Sequence, residues 1–407
     1  MVPEYRAFNS RVVPTGGTTR SLRTLQGIAL GDVSSVDKDS TTLLKLLERE
    51  LPSIQRVIRH PGADDFFPAA IIERLRAWGF LTAPLPRREG GLGWGTEDRD
   101  ILPFFRALKL LGYASLAVGR IFEAHVNALV LIFHYGDERV RNAAAAAVKD
   151  GHLFGLWVTH AADPVRSVEF GSQVHVKGRK AFCTAAGFAT FAVITALNEE
   201  NVDQMLMIDT KRVKFDAASP AALHGMRATC TSPGEFNFAA GTEQYIGQPG
   251  DYVREPDFSV GAWRTSAVTV GGLQALIDET VRQLRARARH TSPSQASRIG
   301  EMLMKSHSAE AWVTSAAWRS VSDRFEQSHL TGYVNLARVA VELASLDVIA
   351  LVQRSLGMAA FLTSNPVEAM MRDLMTYLRQ PAADEALMEA AIAFSETDMP
   401  SSLGDPA

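Results

Sequence analysis

The sequence is short of cysteine, of net charge and of long apolar runs. Only Cys183 and Cys230 occur in 407 residues. That excludes a disulfide scaffold and predicts two reduced thiols in a cytoplasmic compartment. Lys and Arg number 42 against 45 Asp and Glu, a net charge of −3. A balance so near neutral gives no broad field for gripping nucleic acid or an anionic membrane. The apolar stretch over residues 339–352 is broken by Glu342 and Asp347. It falls short of the roughly 20 apolar residues of a membrane span and reads as a buried core helix. The first twenty residues are polar and carry Glu4 and Arg6, so no secretory leader is expected. No GxGxxG follows a strand pattern and no Walker A motif occurs, which removes Rossmann and P-loop folds. Neither HxxxH nor CxxC is present, so no metal site is expected. No repeat of fixed period appears.

What is present is an apolar share of 46% with 21% charged residues. That composition excludes disorder. The length predicts two or three domains with ample core. The apolar period changes twice along the chain. Over residues 40–148 it is helical, with Leu43, Leu44, Leu47, Leu51, Ile54, Val57 and Ile58 at spacings of three and four. A Gly/Pro-rich loop covers residues 84–95. Over residues 152–253 the pattern is that of strands, in HLFGLWVTH, SQVHVKGRKAF, FATFAVITA and QMLMIDT. Ser232-Pro233-Gly234 and Gln248-Pro249-Gly250 read as turns that close this block. Helical spacing returns from residue 259, with helices expected over 262–289, 294–325, 334–356 and 367–378. Pro381 cannot continue the last of these, because it lacks an N–H and clashes with the preceding turn. Helices, then strands, then helices is not the alternation of a doubly wound sheet.

Seven segments in this order resemble the acyl-CoA dehydrogenase superfamily. They are WGFLTAPLPRREGGLGWG, HYGDERVRNAAAAAVKDGHLFGLWVT, VKGRKAFCTAAGFATFAVITA, HGMRATCTSPGEFNF, IGQPGDY, LVQRSLGMAAF and NPVEAMMRDLMTYL. The resemblance spans roughly residues 69–384. It implies an α+β multidomain fold: an all-α N-terminal domain over 39–151, a middle β-barrel-like domain over 152–255 and a C-terminal four-helix bundle over 256–396. An N-terminal extension (1–38) and a tail (397–407) flank them. It further implies FAD, a homodimer or homotetramer, and an acyl thioester or related small-molecule substrate. The activity implied is removal of a proton and a hydride across a Cα–Cβ bond, the cofactor taking the hydride and a carboxylate the proton.

Carried over residue by residue, the resemblance places Thr159 and Thr184 at the flavin ring and Phe182 beside it. The family's glycine-bearing phosphate turn is replaced by residues 160–166, which contain no glycine. Arg166 is left either as a bidentate phosphate ligand or as a solvated surface arginine. Both places where the family carries its catalytic Glu are altered. Pro381 holds one and Trp263, before Arg264, the other, and neither side chain can take a proton. Asp384 and Glu385 lie nearby but read as first-turn helix residues.

Substitutes come from GRIFEAHVNALVLIFH, a segment that in the family borders the substrate pocket. Arg120, Glu123 and Asn127 fall on one face of that helix, with His125 well off it. Polar groups in so apolar a helix must be paired or face a cavity. Two readings stand: an internal Arg120–Glu123 ion pair, or a polar pocket wall with Glu123 or His125 as acid or base. Trp263, Arg264, Arg120 and Asn127 are the candidate pocket residues. Arg264 could hold a substrate carboxylate or pair with Asp257. Gly271 and Gly272, mid-helix, point to close helix approach or to room for a ligand. The activity expected is that of an FAD oxidoreductase not acting on an ordinary fatty acyl-CoA. The alternatives are a flavin oxygenase or oxidase, and a non-catalytic binding scaffold.

Overall fold

In the computed structural model the described residues are 39–58, 66–215 and 223–404. The proposed extension over residues 1–38 lies outside them. Among the described residues five helices come first: α1 (Ser40–Ile58), α2 (Ala69–Trp78), α3 (Ile101–Ala114), α4 (Leu116–Tyr135) and α5 (Glu138–Lys149). Ser115 caps α4 and Asp137 caps α5 through side-chain oxygens that accept from the first-turn N–H groups of Val118 and Val140. α4 is the one described helix long and apolar enough to cross a membrane. Most of it is buried within the protein instead, so its apolarity is that of a core helix touched on all sides.

Eight strands follow: β1 (Phe154–Trp157), β2 (Arg166–Phe170), β3 (Gln173–Cys183), β4 (Phe191–Leu197), β5 (Asp203–Asp209), β6 (Lys214–Phe215), β7 (Ser232–Gly241) and β8 (Tyr245–Ile246). They form one sheet in the order β6-β7-β3-β2-β4-β5-β8, with β1 added parallel to β4. β3 alternates buried Val174, Val176, Gly178 and Lys180 with outward-facing neighbours, as one covered face requires.

Ser232-Pro233-Gly234, expected as a turn, instead opens β7. Its register explains why. Lys180 pairs with Gly234 and Cys183 with Ser232, leaving Pro233 opposite a bulge where no ladder N–H is needed. A Cβ on Gly234 would lie 2.9 Å from Cys183 Sγ, so glycine admits the crowded bulge. Gln248-Pro249-Gly250 is a turn, with Gly250 at φ +87°.

The last block holds α6 (Asp257–Val260), α7 (Ala262–Ala286), α8 (Pro293–Arg319), α9 (Gln327–Leu356), α10 (Pro366–Tyr377) and α11 (Ala383–Ser395). α7, α8 and α9 are its long members, with α10 against α7 and α11 against α9. Asp384 and Glu385 are exposed in the first turn of α11, the end of a helix that favours acidic side chains. α3 crosses α7 with backbone almost touching backbone. A Cβ on Gly112 would fall 2.1 Å from the Val268 carbonyl oxygen, and one on Gly271 would fall 2.0 Å from that of Lys109. Gly271 and Gly272 therefore serve close approach; a Cβ on the latter would strike Leu116.

Candidate functional site

β3 and the segment after β1 present the residues expected at a cofactor ring. The Thr159 carbonyl accepts from Ala181 N at 2.9 Å, which sets Thr159 beside the end of β3. Thr159 is exposed and Phe182 is 52% exposed, facing outward. Thr184 is buried, with its carbonyl accepting from Trp157 Nε1 at 2.9 Å and its hydroxyl 3.4 Å from Thr231 Oγ1. An uncovered aromatic face edged by short polar groups suits a planar heteroaromatic ring.

Beneath this face Lys180 is fully buried. Its Nζ donates to Val158 O and Thr195 Oγ1, both at 2.8 Å, and meets His160 Nδ1 at 3.2 Å. His160 Nε2 in turn contacts Asp203 Oδ1 at 2.9 Å. Burial pushes the lysine down to about 7. This Lys–His–Asp chain holds the segment after β1 that carries Thr159.

The segment expected at a cofactor phosphate has no glycine and is held against β3. Residues 159–164 lie flat along β3, with Ala161 N donating to Arg179 O and Arg179 N to Asp163 O. A Cβ on Gly178 would come within 2.2 Å of Pro164 O, so only glycine permits this contact. Arg166, considered as a phosphate ligand, is exposed on β2. It donates from Nη1 to Asn201 Oδ1 at 2.9 Å in the β4–β5 turn. The solvated-surface alternative describes it.

A second assembly joins α4 to the C-terminal helices. Glu123 is fully buried, and its carboxylate accepts from Arg120 Nη1, Asn127 Nδ2 and, at 3.0 Å, Thr265 Oγ1. Arg264 Nε donates to Asn127 Oδ1 at 2.6 Å. Tyr377, 6% exposed, brings its hydroxyl beside Thr265, Glu123 and Arg120 without a hydrogen bond of normal geometry. Arg120, Glu123 and Asn127 share one face of α4, and Arg264 joins them through Asn127 rather than pairing with Asp257. Thr265 and Tyr377 were not foreseen, since a single Thr and Tyr on separate helices carry no periodic mark. Three of about four lone-pair positions on Glu123 are occupied. This geometry suits the ion-pair reading of Glu123.

Two expectations are corrected. His125 is no acid or base: its Nε2 meets Leu81 O at 2.9 Å and its Nδ1 accepts from Phe154 N at 3.1 Å. Both ring nitrogens are spent tying α4 to the residue-81 turn and β1. Burial drives the ring down to about 4, well below an ordinary imidazole at ~6.5. Its sign follows from linkage. Between pH 6.5 and 4 the unfolded chain takes a proton that the folded chain refuses, so stability falls as pH falls through that window, by about 3 kcal/mol in total. A His125→Asn variant is expected to flatten this limb of a plot of denaturation midpoint against pH; an unchanged slope would refute the assignment. Trp263 is the second correction. It is 2% exposed and packs edge-on against Phe104 at 5.4 Å, so it is core between α3 and α7 and no pocket wall.

Arg372 donates to Glu368 Oε1 and to the His224 carbonyl, both at 3.0 Å, while Asp373 accepts from Met226 N at 2.6 Å. The pair locks α10 onto the loop preceding β7. Residues 250–378, which hold this lock, match the family model for the acyl-CoA dehydrogenase C-terminal domain. The putative acyl-CoA dehydrogenase YdbM of Bacillus subtilis is 24% identical over 348 residues, covering 81% of this chain and 90% of its own. The family model, these relatives and the shared fold together support the acyl-CoA dehydrogenase superfamily. Members of this superfamily are flavin oxidoreductases. Two solved structures share the fold. Butyryl-CoA dehydrogenase of Megasphaera elsdenii has a TM-score of 0.76 at 16% identity, covering 89% of this chain and 99% of its own. Dibenzothiophene monooxygenase (TdsC) of Paenibacillus sp. A11-2 has 0.75 at 17%, covering 86% and 96%. The scaffold therefore serves both dehydrogenation and oxygenation. Within it, Pro381 lies just beyond α10, its carbonyl accepting from Arg338 Nη2 at 3.2 Å, and offers no proton acceptor on a side chain.

Proposed function

We propose that this protein is a flavin-dependent oxidoreductase that holds FAD against Thr159, Phe182 and Thr184 and oxidises an acyl thioester, or a related small molecule, other than an ordinary fatty acyl-CoA. One observation carries the substrate side of this reading. The wall that α4 gives the family's substrate pocket is here a charged cluster of Arg120, Glu123 and Asn127 joined to Arg264, where an alkyl chain would find no apolar partner. The bound flavin would supply hydride acceptance. The protein's part is to orient and desolvate. Thr184 would offer its hydroxyl to the ring, and the Lys180 anchor fixes the segment bearing Thr159. The exposed apolar side chains Met304 on α8, Leu343 on α9 and Ile392 on α11 support a homodimer or homotetramer.

Purified protein is expected to be yellow, releasing about one FAD per chain on denaturation, as read by absorbance and chromatography. Protein that stays colourless after incubation with excess FAD and FMN would overturn the reading and leave a non-catalytic scaffold. Flavin oxygenation or oxidation is the second reading. It is favoured by the loss of a carboxylate at both Pro381 and Trp263, since reaction of a reduced flavin with O₂ does not call for that base. The flattened 160–166 segment also suits a cofactor without a pyrophosphate, such as the FMN with which TdsC has been crystallised. Anaerobic photoreduction followed by O₂ separates the two. Fast reoxidation through a hydroperoxide-like absorbance belongs to the second reading, slow reoxidation to the first.

A further inference from the structure

The cluster between α4, α7 and α10 holds two guanidinium groups, Arg120 and Arg264, around the single carboxylate of Glu123. The other acid that acts on Arg264 is Asp257, which favours the charged guanidinium but is engaged elsewhere. Asp257 accepts from Tyr135 at 2.7 Å and meets His134 Nε2 at 3.2 Å, and it forms no ion pair with Arg264. Arg264 is half-buried and donates from Nε alone; its two terminal nitrogens make no hydrogen bond to any described residue. Burial lowers its pKa to about 10, which still leaves it cationic at neutral pH.

The surroundings keep that fork clear. A Cβ on Gly261 would sit 2.6 Å from Arg264 Nη2, so glycine at the entry to α7 leaves the guanidinium its space. Asn127 fixes the orientation through both ends of its amide, accepting from Arg264 and donating to Glu123. Arg264 also sits in the first turn of α7, whose N-terminal dipole adds positive potential. Beside the cluster lies the buried Tyr377 hydroxyl, a donor with no acceptor. A half-desolvated cation with a free planar fork, next to an orphaned hydroxyl, is matched by one kind of group: an oxyanion with two acceptor oxygens in a plane.

We infer that Arg264, supported by Arg120 and Tyr377, receives a second, terminal carboxylate on the substrate, so that the preferred substrates are short ω-carboxyacyl thioesters rather than monocarboxylic acyl thioesters. This rests on the thioester reading proposed above and narrows it to a chemical class. Glu123 then serves to hold Arg120 and Asn127 in register, not to take part in the chemistry.

The test is equilibrium binding by titration calorimetry to the purified protein. The probes are succinyl-CoA against butyryl-CoA and glutaryl-CoA against valeryl-CoA, pairs matched in acyl length. The ω-carboxyl member of each pair is expected to bind at least tenfold more tightly, and Arg264→Met is expected to erase that ratio. Should Arg264→Met fail to fold, Arg264→Lys keeps the charge without the fork and is expected to lose most of the ratio. Equal affinity within each pair, a ratio that survives both variants, or no binding of any of the four would overturn the inference. Flavin content separates this result from the redox proposal. Yellow protein without discrimination sinks only the carboxylate site. Colourless protein that still discriminates sinks only the redox function.

Discussion

Gly271→Val is expected to cost more than about 3 kcal/mol of stability, because the new Cβ would meet a carbonyl oxygen rather than a side chain able to rotate away. The Lys109 oxygen lies 2.0 Å from that position and Tyr113 N 2.6 Å. α3 and α7 would have to part by about 1 Å or more to restore ordinary contact. Three further ties depend on their spacing. Tyr113 donates to Asp278 at 2.7 Å, Gln274 donates to Glu310 at 2.6 Å, and Lys109 pairs with Glu310. Thermal unfolding and limited proteolysis should both show early release of the N-terminal helices. Gly300→Ala in α8 is the control. Nothing lies within 4 Å of its Cβ, and an alanine there is expected to stabilise by up to about 1 kcal/mol. If Gly271→Val unfolds at the temperature of the parent chain, the helices are not in backbone contact.

Glu123→Gln is expected to destabilise by about 3 kcal/mol. The neutral amide leaves Arg120 without its counter-charge in a buried setting, and breaking such a pair from one side costs more than the pair itself contributes. Arg120 keeps 28% of its side chain exposed, which places the effect at the lower end of the usual range for buried pairs. The double change Glu123→Leu with Arg120→Met is expected to recover part of the loss, since no unpaired charge remains. Denaturation midpoints of the four chains measure the coupling. Normal stability combined with lost turnover in Glu123→Gln would make Glu123 the proton acceptor and overturn its assignment as an anchor.

Much of the local structure was legible because short-range chemistry dictates it. The helical spacing of Leu43, Leu44 and Leu47 marks α1. The alternation in QVHVKGRK marks β3, and Pro381 marks the break between α10 and α11. Three features misled. β2 (Arg166–Phe170) shows Arg166, Glu169 and an exposed Phe170, so it lacks the apolar alternation of a half-buried strand. Ser232-Pro233-Gly234 has turn composition, yet its proline and glycine serve a bulge set by β3. His125, a lone polar residue in an apolar helix, suggested chemistry, but its partners Leu81 O and Phe154 N belong to segments far away in the chain.

The sequence by itself determined the order of helical and strand blocks, the absence of a carboxylate at positions 263 and 381, and the shared face of Arg120, Glu123 and Asn127. Each depends only on residue identity and on the repeat of one element. The tertiary structure decided what those residues face. It turned Gly271 from possible ligand space into a helix crossing, buried Trp263, and spent both nitrogens of His125 on backbone. It also brought Arg264 and Tyr377 to Glu123 from helices more than a hundred residues away in sequence. Burial, charge pairing and hydrogen-bond saturation are properties of neighbours in space, and no period along a single helix encodes who those neighbours are.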